Sequence, residues 1–172
     1  MAWELSRKGK KAILCEARKY SKSLGKLYSP AGILERGGGK GVTREGMRLS
    51  VGKAIGGSSL LFAACAFKPP KSFKEQTGID LEEELNEVYK DFPVQPLPDT
   101  HLGPGCQRIM DAARDLGLDW NPVDKWIRPE KRPPNCGKCF LGCPTGAKIT
   151  ARDYVDEAVK NGTNLLTLIE VE

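Results

Sequence analysis

The sequence lacks the long apolar segments that mark membrane-spanning and exported proteins. Its longest apolar run covers residues 60–67, whereas a membrane-spanning helix needs about 20 apolar residues. The first 15 residues contain no apolar stretch of signal-peptide length. We therefore expect a soluble, cytoplasmic chain without a membrane span. At 172 residues it has room for one domain or for part of a larger one.

A strong excess of one charge is also missing. The chain has 27 Lys and Arg against 22 Asp and Glu, a formal net charge of +5, which excludes a protein that binds nucleic acid by charge alone. The basic residues between Arg7 and Lys26 are spread along the chain, so we interpret them as a solvated face. Histidine is scarce as well, because His101 is the only one, and its proline-rich surroundings predict a surface loop.

The pattern of apolar residues predicts alternating helices and strands, and hence an α/β fold. Residues 1–7 are expected to form a helix that Gly9 stops, and 12–15 a buried strand that ends at Glu16. The elements expected after this strand are a loop at 37–41, a short strand at 47–51, a glycine turn at 52–59 that leads into a buried helix at 60–67, helices at 79–92, 109–116 and 151–160, and a strand at 165–171.

Cysteine, in contrast, is well represented, with six residues. Without an export signal these are expected to be reduced thiols or metal ligands. Cys136, Cys139 and Cys143 are spaced for soft-metal ligation, and Cys106 could complete a four-thiolate site for an iron–sulfur cluster or zinc. Three residues separate Cys139 from Cys143, where the bacterial cluster motif has two. A small iron–sulfur or zinc-binding module is therefore an alternative to thiols packed in a glycine- and proline-rich loop.

Glu16 indicates a nucleotide-binding function. A helix followed by a strand that ends in an acid is the second half of a βαβ dinucleotide unit, in which the acid accepts hydrogen bonds from the adenosine ribose. The glycine fingerprint of such a unit lies about 20 residues before the acid, and only 15 residues precede Glu16. The fingerprint and its strand would lie upstream of Met1, so Glu16 needs support from elsewhere in the chain.

That support comes from residues 52–75. Gly-Lys-Ala-Ile-Gly-Gly-Ser-Ser, the apolar run after it and Ala-Phe-Lys-Pro resemble the first sequence motif of the glucose-methanol-choline (GMC) family of FAD-dependent oxidoreductases. Consecutive glycines at the start of a helix let backbone amides approach a ligand. The family usually has Asn or His where this chain has Phe62. The resemblance implies that four residues contact the diphosphate or the flavin of FAD: Gly56, Gly57, Ser58 and Ser59.

The resemblance extends toward both ends of the chain. Residues 2–16 are similar to the segment that follows the glycine fingerprint in this family, which assigns the ribose-binding acid to Glu16. The cysteine-containing stretch 136–148, with the helix and strand after it, resembles the long-chain alcohol oxidase and dehydrogenase branch, in which the backbone near Val171 meets the adenine. The likeness covers nearly the whole chain, but only the amino-terminal third or so of a complete enzyme.

The resemblance implies an incomplete, Rossmann-like FAD-binding domain with an inserted, mostly helical or irregular segment. We place the partial FAD-binding domain at 1–69, the inserted substrate or cap segment at 70–134, and the cysteine-rich loop, helix and returning strand at 135–172. The complete enzyme would oxidise the CH–OH group of a small-molecule alcohol, and its catalytic histidine and partner would lie beyond Glu172. We expect a fragment that binds FAD and is not catalytically complete alone.

Overall fold

The computed structural model describes residues 1–28, 30, 33–34, 43–47 and 51–171. The predicted loop at 37–41 and most of the predicted strand at 47–51 lie outside these residues. The chain divides into two compact units, Met1–Ala63 together with Lys138–Glu172, and Ala64–Gly137. The described helices and strands are, in chain order, α1 (Ala2–Arg7), β1 (Ile13–Glu16), α2 (Ser72–Thr77), α3 (Glu82–Asp91), β2 (Val94–Gln95), α4 (Pro104–Asp115), β3 (Lys125–Trp126), α5 (Ala151–Lys160) and β4 (Asn164–Thr167).

The first unit contains a parallel pair of strands. β1 pairs with β4, and Glu16 lies opposite Thr167 at the carboxyl end of the pair. The strand was predicted to be buried, but Ile13 is 68% exposed and Cys15 is exposed, because one face of β1 is left uncovered by the described residues. The helices α1 and α5 pack together, and the rings of Trp3 and Tyr154 meet edge to face with centroids 5.1 Å apart. A mixed α and β fold is thereby confirmed. The Rossmann-like arrangement stays a prediction, since the described strands of this unit form only this one parallel pair.

The helix and the strand at the carboxyl end were both predicted, and the helix has the predicted bounds. α5 begins at a capping box, in which the Asp153 carboxylate accepts hydrogen bonds from the Thr150 N–H at 2.7 Å and from its hydroxyl at 3.0 Å. The strand, β4, ends at Thr167, whereas the prediction continued it to residue 171. Leu168 has a φ of 62°, a left-handed conformation that interrupts an extended strand.

The prediction of a buried helix at 60–67 is wrong. The chain forms a single 3₁₀ turn, Gly57–Leu60, and no helix follows it up to residue 67. Ala64 has a φ of 61°, which is incompatible with a right-handed helix. The carbonyls of Leu60 and Phe62 accept hydrogen bonds from the Lys148 ammonium instead of from backbone N–H groups further along the chain.

The core of the first unit lies against this 3₁₀ turn. Ile33, Ala54 and Leu60 are buried together, and Leu24 and Leu61 pack against them. These apolar side chains pack against the 3₁₀ turn and so fix the position of Gly56 and Gly57 at its start.

The second unit contains α2, α3 and α4 and the antiparallel pair of β2 and β3. The prediction began α3 at residue 79, but the Asp80 carboxylate accepts the Glu82 N–H at 3.2 Å and so favours a later start. The prediction for α4 placed only its second half, because the helix starts at Pro104, a residue favoured in the first helical position. The Tyr89 hydroxyl donates to the Asp124 carboxylate at 2.7 Å and connects α3 to the segment before β3.

The longest described helix, α4, has 12 residues, and none of the helices in the described ranges has the length and apolar character of a membrane span.

Candidate functional site

Glu16 lies at the carboxyl end of β1, where parallel strands of α/β proteins commonly present ligand-binding residues. Its side chain is half-buried, and one carboxylate oxygen accepts the backbone N–H of Arg18 at 2.9 Å. Its carbonyl oxygen accepts the N–H of Ile169 at 3.2 Å, which ties the acid to the segment after β4. The carboxylate is therefore held in place at the strand end, with a second oxygen that can accept hydrogen bonds from a ligand.

The glycine turn passes close to this acid and depends on its glycines. Gly56 and Gly57 have φ angles of 100° and 55°, a region that residues with side chains rarely adopt. Gly52 crosses beneath them, and a Cβ atom there would lie only 2.8 Å from the Ser58 nitrogen and 2.9 Å from the Gly57 backbone. Three glycines are thus required for the chain to fold back on itself at this point.

The two serine hydroxyls hold the turn in shape. Ser58 Oγ accepts the N–H of Gly52 at 2.9 Å. Ser59 Oγ donates to the Gly56 carbonyl and accepts the N–H of Ala151, the first residue of α5, at 2.8 Å. Both hydroxyls are therefore bonded within the chain. Their predicted contact with FAD stays a prediction.

A cavity of about 360 Å³ joins the acid to the turn. Its size suits one part of a nucleotide cofactor, since ligand pockets typically span ~300–1,000 Å³. A Cβ atom at Gly57 would meet no atom closer than the Gly52 carbonyl oxygen at 3.7 Å, so the missing side chain leaves room in the cavity. The lining residues are Glu16, Ala17, Arg18, Gly52, Lys53, Ala54, Gly57 and Glu170.

The cavity brings together two of the six predicted FAD-binding residues, Glu16 and Gly57. The other four, Gly56, Ser58, Ser59 and Val171, are next to lining residues or within the turn and do not line the cavity themselves. Val171 is 75% exposed and follows Glu170, which does line it. The lining of the cavity fits the nucleotide part of FAD. The Glu16 carboxylate can accept hydrogen bonds from ribose hydroxyls, the glycine backbone leaves one wall without side chains, and Arg18 and Lys53 are cations that can bind phosphate.

Lys148 is a residue of this region to which the sequence assigned no role. Its side chain is only 2% exposed, and Nζ donates hydrogen bonds to the carbonyls of Leu60 at 2.8 Å, Phe62 at 3.0 Å and Cys139 at 2.8 Å. Nζ also lies 4.9 Å from the centre of the Phe62 ring. The only signal in the sequence was a lysine between apolar neighbours, Ala147 and Ile149, which are each 2% exposed.

The pKa of the buried Lys148 ammonium is lowered. Burial lowers the pKa of Lys148 from 10.5 to about 8, and the nearby thiols of Cys139 and Cys143 oppose this shift. No carboxylate contributes to the shift. Through its three hydrogen bonds, Lys148 connects the carbonyls of Leu60 and Phe62, which follow the glycine turn, to the carbonyl of Cys139.

The described residues give no support to the alternative metal site. Among the parts of the chain that the structure describes, which include all six cysteines, no group of three or more His, Cys, Asp or Glu side chains could hold a metal ion. Cys139 and Cys143 lie beside the Lys148 ammonium, whose positive charge disfavours a second cation there. Cys106 is exposed and Cys136 half-buried, and neither these two residues nor Cys139 and Cys143 form a disulfide. The assignment of an iron–sulfur cluster or zinc to Cys106, Cys136, Cys139 and Cys143 therefore stays a prediction without support from the described residues.

His101, the only histidine, lies in the 3₁₀ turn Asp99–His101 of the second unit. It is half-buried, and its Nε2 lies 3.1 Å from the Arg132 carbonyl oxygen. A backbone contact of this kind gives the ring a structural role within that unit.

Comparison with known proteins relates the chain to one family. A family model described as GMC oxidoreductase matches residues 30–172. Similar curated proteins include two uncharacterized GMC-type oxidoreductases of Mycobacterium tuberculosis, from the strains CDC 1551 / Oshkosh and ATCC 25618 / H37Rv. Each is 25% identical to this chain, and the matched region covers 81% of the chain and 24% of the relative. The chain thus spans about a quarter of the length of these curated relatives.

Proposed function

The chain belongs to the GMC oxidoreductase family, and from this premise we propose that it forms part of the FAD-binding region of an FAD-dependent oxidoreductase. The observation that supports the proposal most strongly is the cavity that joins Glu16 to Gly52 and Gly57. An acid at the end of a parallel strand is the feature with which dinucleotide sites bind the ribose, and the glycine turn adds backbone that a cofactor can approach closely. The first sequence motif and the strand-end acid, which are 36 residues or more apart in sequence, thus meet at one cavity.

Each part of the site has its own role in this proposal. The Glu16 carboxylate accepts hydrogen bonds from the ribose hydroxyls, and the backbone of Gly57 approaches the cofactor without a side chain between them. Arg18 and Lys53 supply positive charge for phosphate oxygens. Ser58, Ser59 and Gly56 keep the turn in shape, and the backbone near Val171 lies beside the adenine, next to Glu170.

The substrate is proposed as a small-molecule alcohol that is oxidised at its CH–OH group. The bound flavin would supply the acceptor for the hydride, while the residues of this chain bind and orient the cofactor. The likeness of residues 136–148 to long-chain alcohol oxidases and dehydrogenases supports an alcohol of that branch. The segment 70–134 is proposed as the substrate or cap segment, and the chain corresponds to the amino-terminal part of such an enzyme.

A cytoplasmic location is also part of the proposal. None of the six cysteines, all of which lie within the described residues, forms a disulfide. Reduced cysteines in this number are typical of reducing compartments.

Isothermal titration calorimetry of the chain with FAD tests the cofactor assignment. Replacing Glu16 with Gln removes the charged acceptor of the ribose hydroxyls, and we expect the affinity for FAD to fall about tenfold or more. The wild-type chain should bind one FAD.

The matched control is Glu157→Gln, because Glu157 lies on the exposed surface of α5, where it pairs with Lys160 at 3.8 Å, and it does not line the cavity. This variant should bind FAD as the wild type does, and circular dichroism should show that both variants are folded. Equal affinities of the wild type and E16Q, or no binding by the wild type, would contradict the proposed site.

A further inference from the structure

A second cavity, of about 460 Å³, adjoins the cavity at Glu16. The two share the wall formed by Arg18, Lys53 and Ala54. Five cations line the second cavity, which we call the basic pocket: Arg18, Lys19, Lys22, Lys26 and Lys53. We propose that the basic pocket binds a phosphate-bearing small molecule, an inference that does not depend on the binding of FAD.

The charge of the basic pocket carries the proposal. No Asp or Glu is among the described residues that line it. All five cations are exposed, and the whole chain has a formal net charge of +5. A multivalent anion at this surface can interact favourably with several of these cations at once. A ligand with two or more negative charges fits this surface better than a neutral one.

The uncharged groups of the pocket add hydrogen-bonding capacity without adding negative charge. Ser21 Oγ and Ser23 Oγ lie 3.2 Å apart, and the N–H of Ser23 points to Ser21 Oγ at 3.4 Å. Hydroxyls can donate to phosphate oxygens alongside lysines. Burial is the larger cause, and the hydrogen bond to Asp156 the smaller one, that raises the pKa of Tyr20 to about 12. The Tyr20 hydroxyl therefore stays protonated at neutral pH.

The loop that carries four of the five cations is held in its curved shape by the rest of the first unit. The N–H of Gly25 donates to the Leu141 carbonyl at 2.6 Å. Gly25 has a φ of 81°, and a Cβ atom there would collide with the ring of Pro144. The loop is therefore fixed against the cysteine-containing segment. Its basic residues are exposed, as the sequence predicted, and they line a concave surface.

Phosphate can reach the basic pocket from two sources. One is a free phosphorylated molecule, and the other is the diphosphate of a dinucleotide whose ribose lies at Glu16 in the adjoining cavity. Both present the same chemistry, oxygens of a phosphate anion that accept hydrogen bonds from Lys and Arg. The proposal concerns this shared chemistry, and the experiment separates the sources.

The experiment measures the binding of pyrophosphate to the full chain by isothermal calorimetry at low ionic strength, in the absence of flavin. A triple variant, K19Q/K22Q/K26Q, removes three cations of the basic pocket. The control, K8Q/K10Q/K11Q, removes the same charge from three exposed lysines that do not line the pocket. We expect one pyrophosphate per chain, a loss of affinity of about tenfold or more in the pocket variant, and a change of about twofold or less in the control.

Equal weakening in both triple variants would overturn the proposal, because net charge rather than the pocket would then attract the anion. Absence of pyrophosphate binding by the wild-type chain would overturn it as well. Circular dichroism shows whether the variants are folded. If the pocket triple variant is not, Lys19→Gln and Lys22→Gln are measured singly, and each is expected to weaken binding more than Lys8→Gln does.

Repeating the titration with FAD present identifies the source of the phosphate. If FAD weakens pyrophosphate binding, the pocket holds the diphosphate of the dinucleotide, and if both bind together it holds a separate phosphorylated molecule. Either result supports a phosphate site. Pyrophosphate binding by a chain that does not bind FAD would support the basic pocket while contradicting the proposed function, so the two can fail independently.

Discussion

Replacing Lys148 with Met should change the pH dependence of the stability of the chain. In the folded chain burial lowers the pKa of Lys148 to about 8, whereas the ordinary value is 10.5. Between these two values the unfolded chain binds more protons than the folded chain. The contribution of this group to the free energy of unfolding therefore rises with pH across that window.

The expected size follows from the two pKa values. From about pH 7.5 to about pH 9.5, the wild type should gain about 2 kcal/mol of stability relative to a variant without this lysine. Tyr20 and Tyr89, whose pKa values burial raises to about 12, have the opposite sign. They lose their stabilising effect only above the pKa of an unfolded tyrosine, about 10, and they are common to both proteins, so they cancel in the difference.

The assay is urea unfolding followed by circular dichroism at both pH values. At the lower pH, K148M should also be less stable, because it leaves the carbonyls of Leu60, Phe62 and Cys139 without their donor, at ~1–3 kcal/mol for an unsatisfied buried group. Lys138→Met is the matched control, since Lys138 is exposed and lies in the same segment. Its pH dependence should equal that of the wild type.

Parallel pH dependence in the wild type and K148M would refute the reasoning, because the buried ammonium would then not titrate in this window. Should K148M not fold, K148R serves instead. A guanidinium keeps its proton throughout the window, so this variant should also lose the gain in stability.

Two further predictions concern the segments that frame the site. Gly52→Ala should destabilise the chain by about 1–3 kcal/mol in urea unfolding, since its Cβ meets backbone atoms of the turn. The control, Gly105→Ala, should be neutral or stabilising, because a Cβ there meets nothing within 4 Å. Equal stabilities of the two variants would show that the turn is not closely packed. Asp153→Ala should destabilise by about 1 kcal/mol through loss of the capping box, and an effect no larger than that of Glu157→Ala would argue against the capping role.

Local patterns predicted the elements whose causes are local. The bounds of α5 follow from apolar residues at helical spacing and from the Asn-Gly pair that ends it, and β1 ends at Glu16 because an apolar run ends there. The acid and the glycine turn were each recognised in sequence.

The errors arose where distant residues determine the local conformation. The apolar run at 60–67 has the composition of a buried helix, but Lys148 takes the carbonyls that a helix would need, and it lies 88 residues from Leu60 and 86 from Phe62. The curvature of the basic loop, on which the sequence made no prediction, likewise depends on distant contacts of Gly25 with Leu141 and Pro144. A pattern search within a short window contains neither contact.

Titration of the ¹⁵N-labelled chain with FAD, followed by amide chemical shifts, tests the central claim most directly. The account predicts that the largest shifts occur at Ala17, Gly52 and Gly57, which line the cavity at Glu16. Absence of shifts on addition of FAD, or shifts confined to the second unit, Ala64–Gly137, would contradict the assignment of this cavity as the cofactor site.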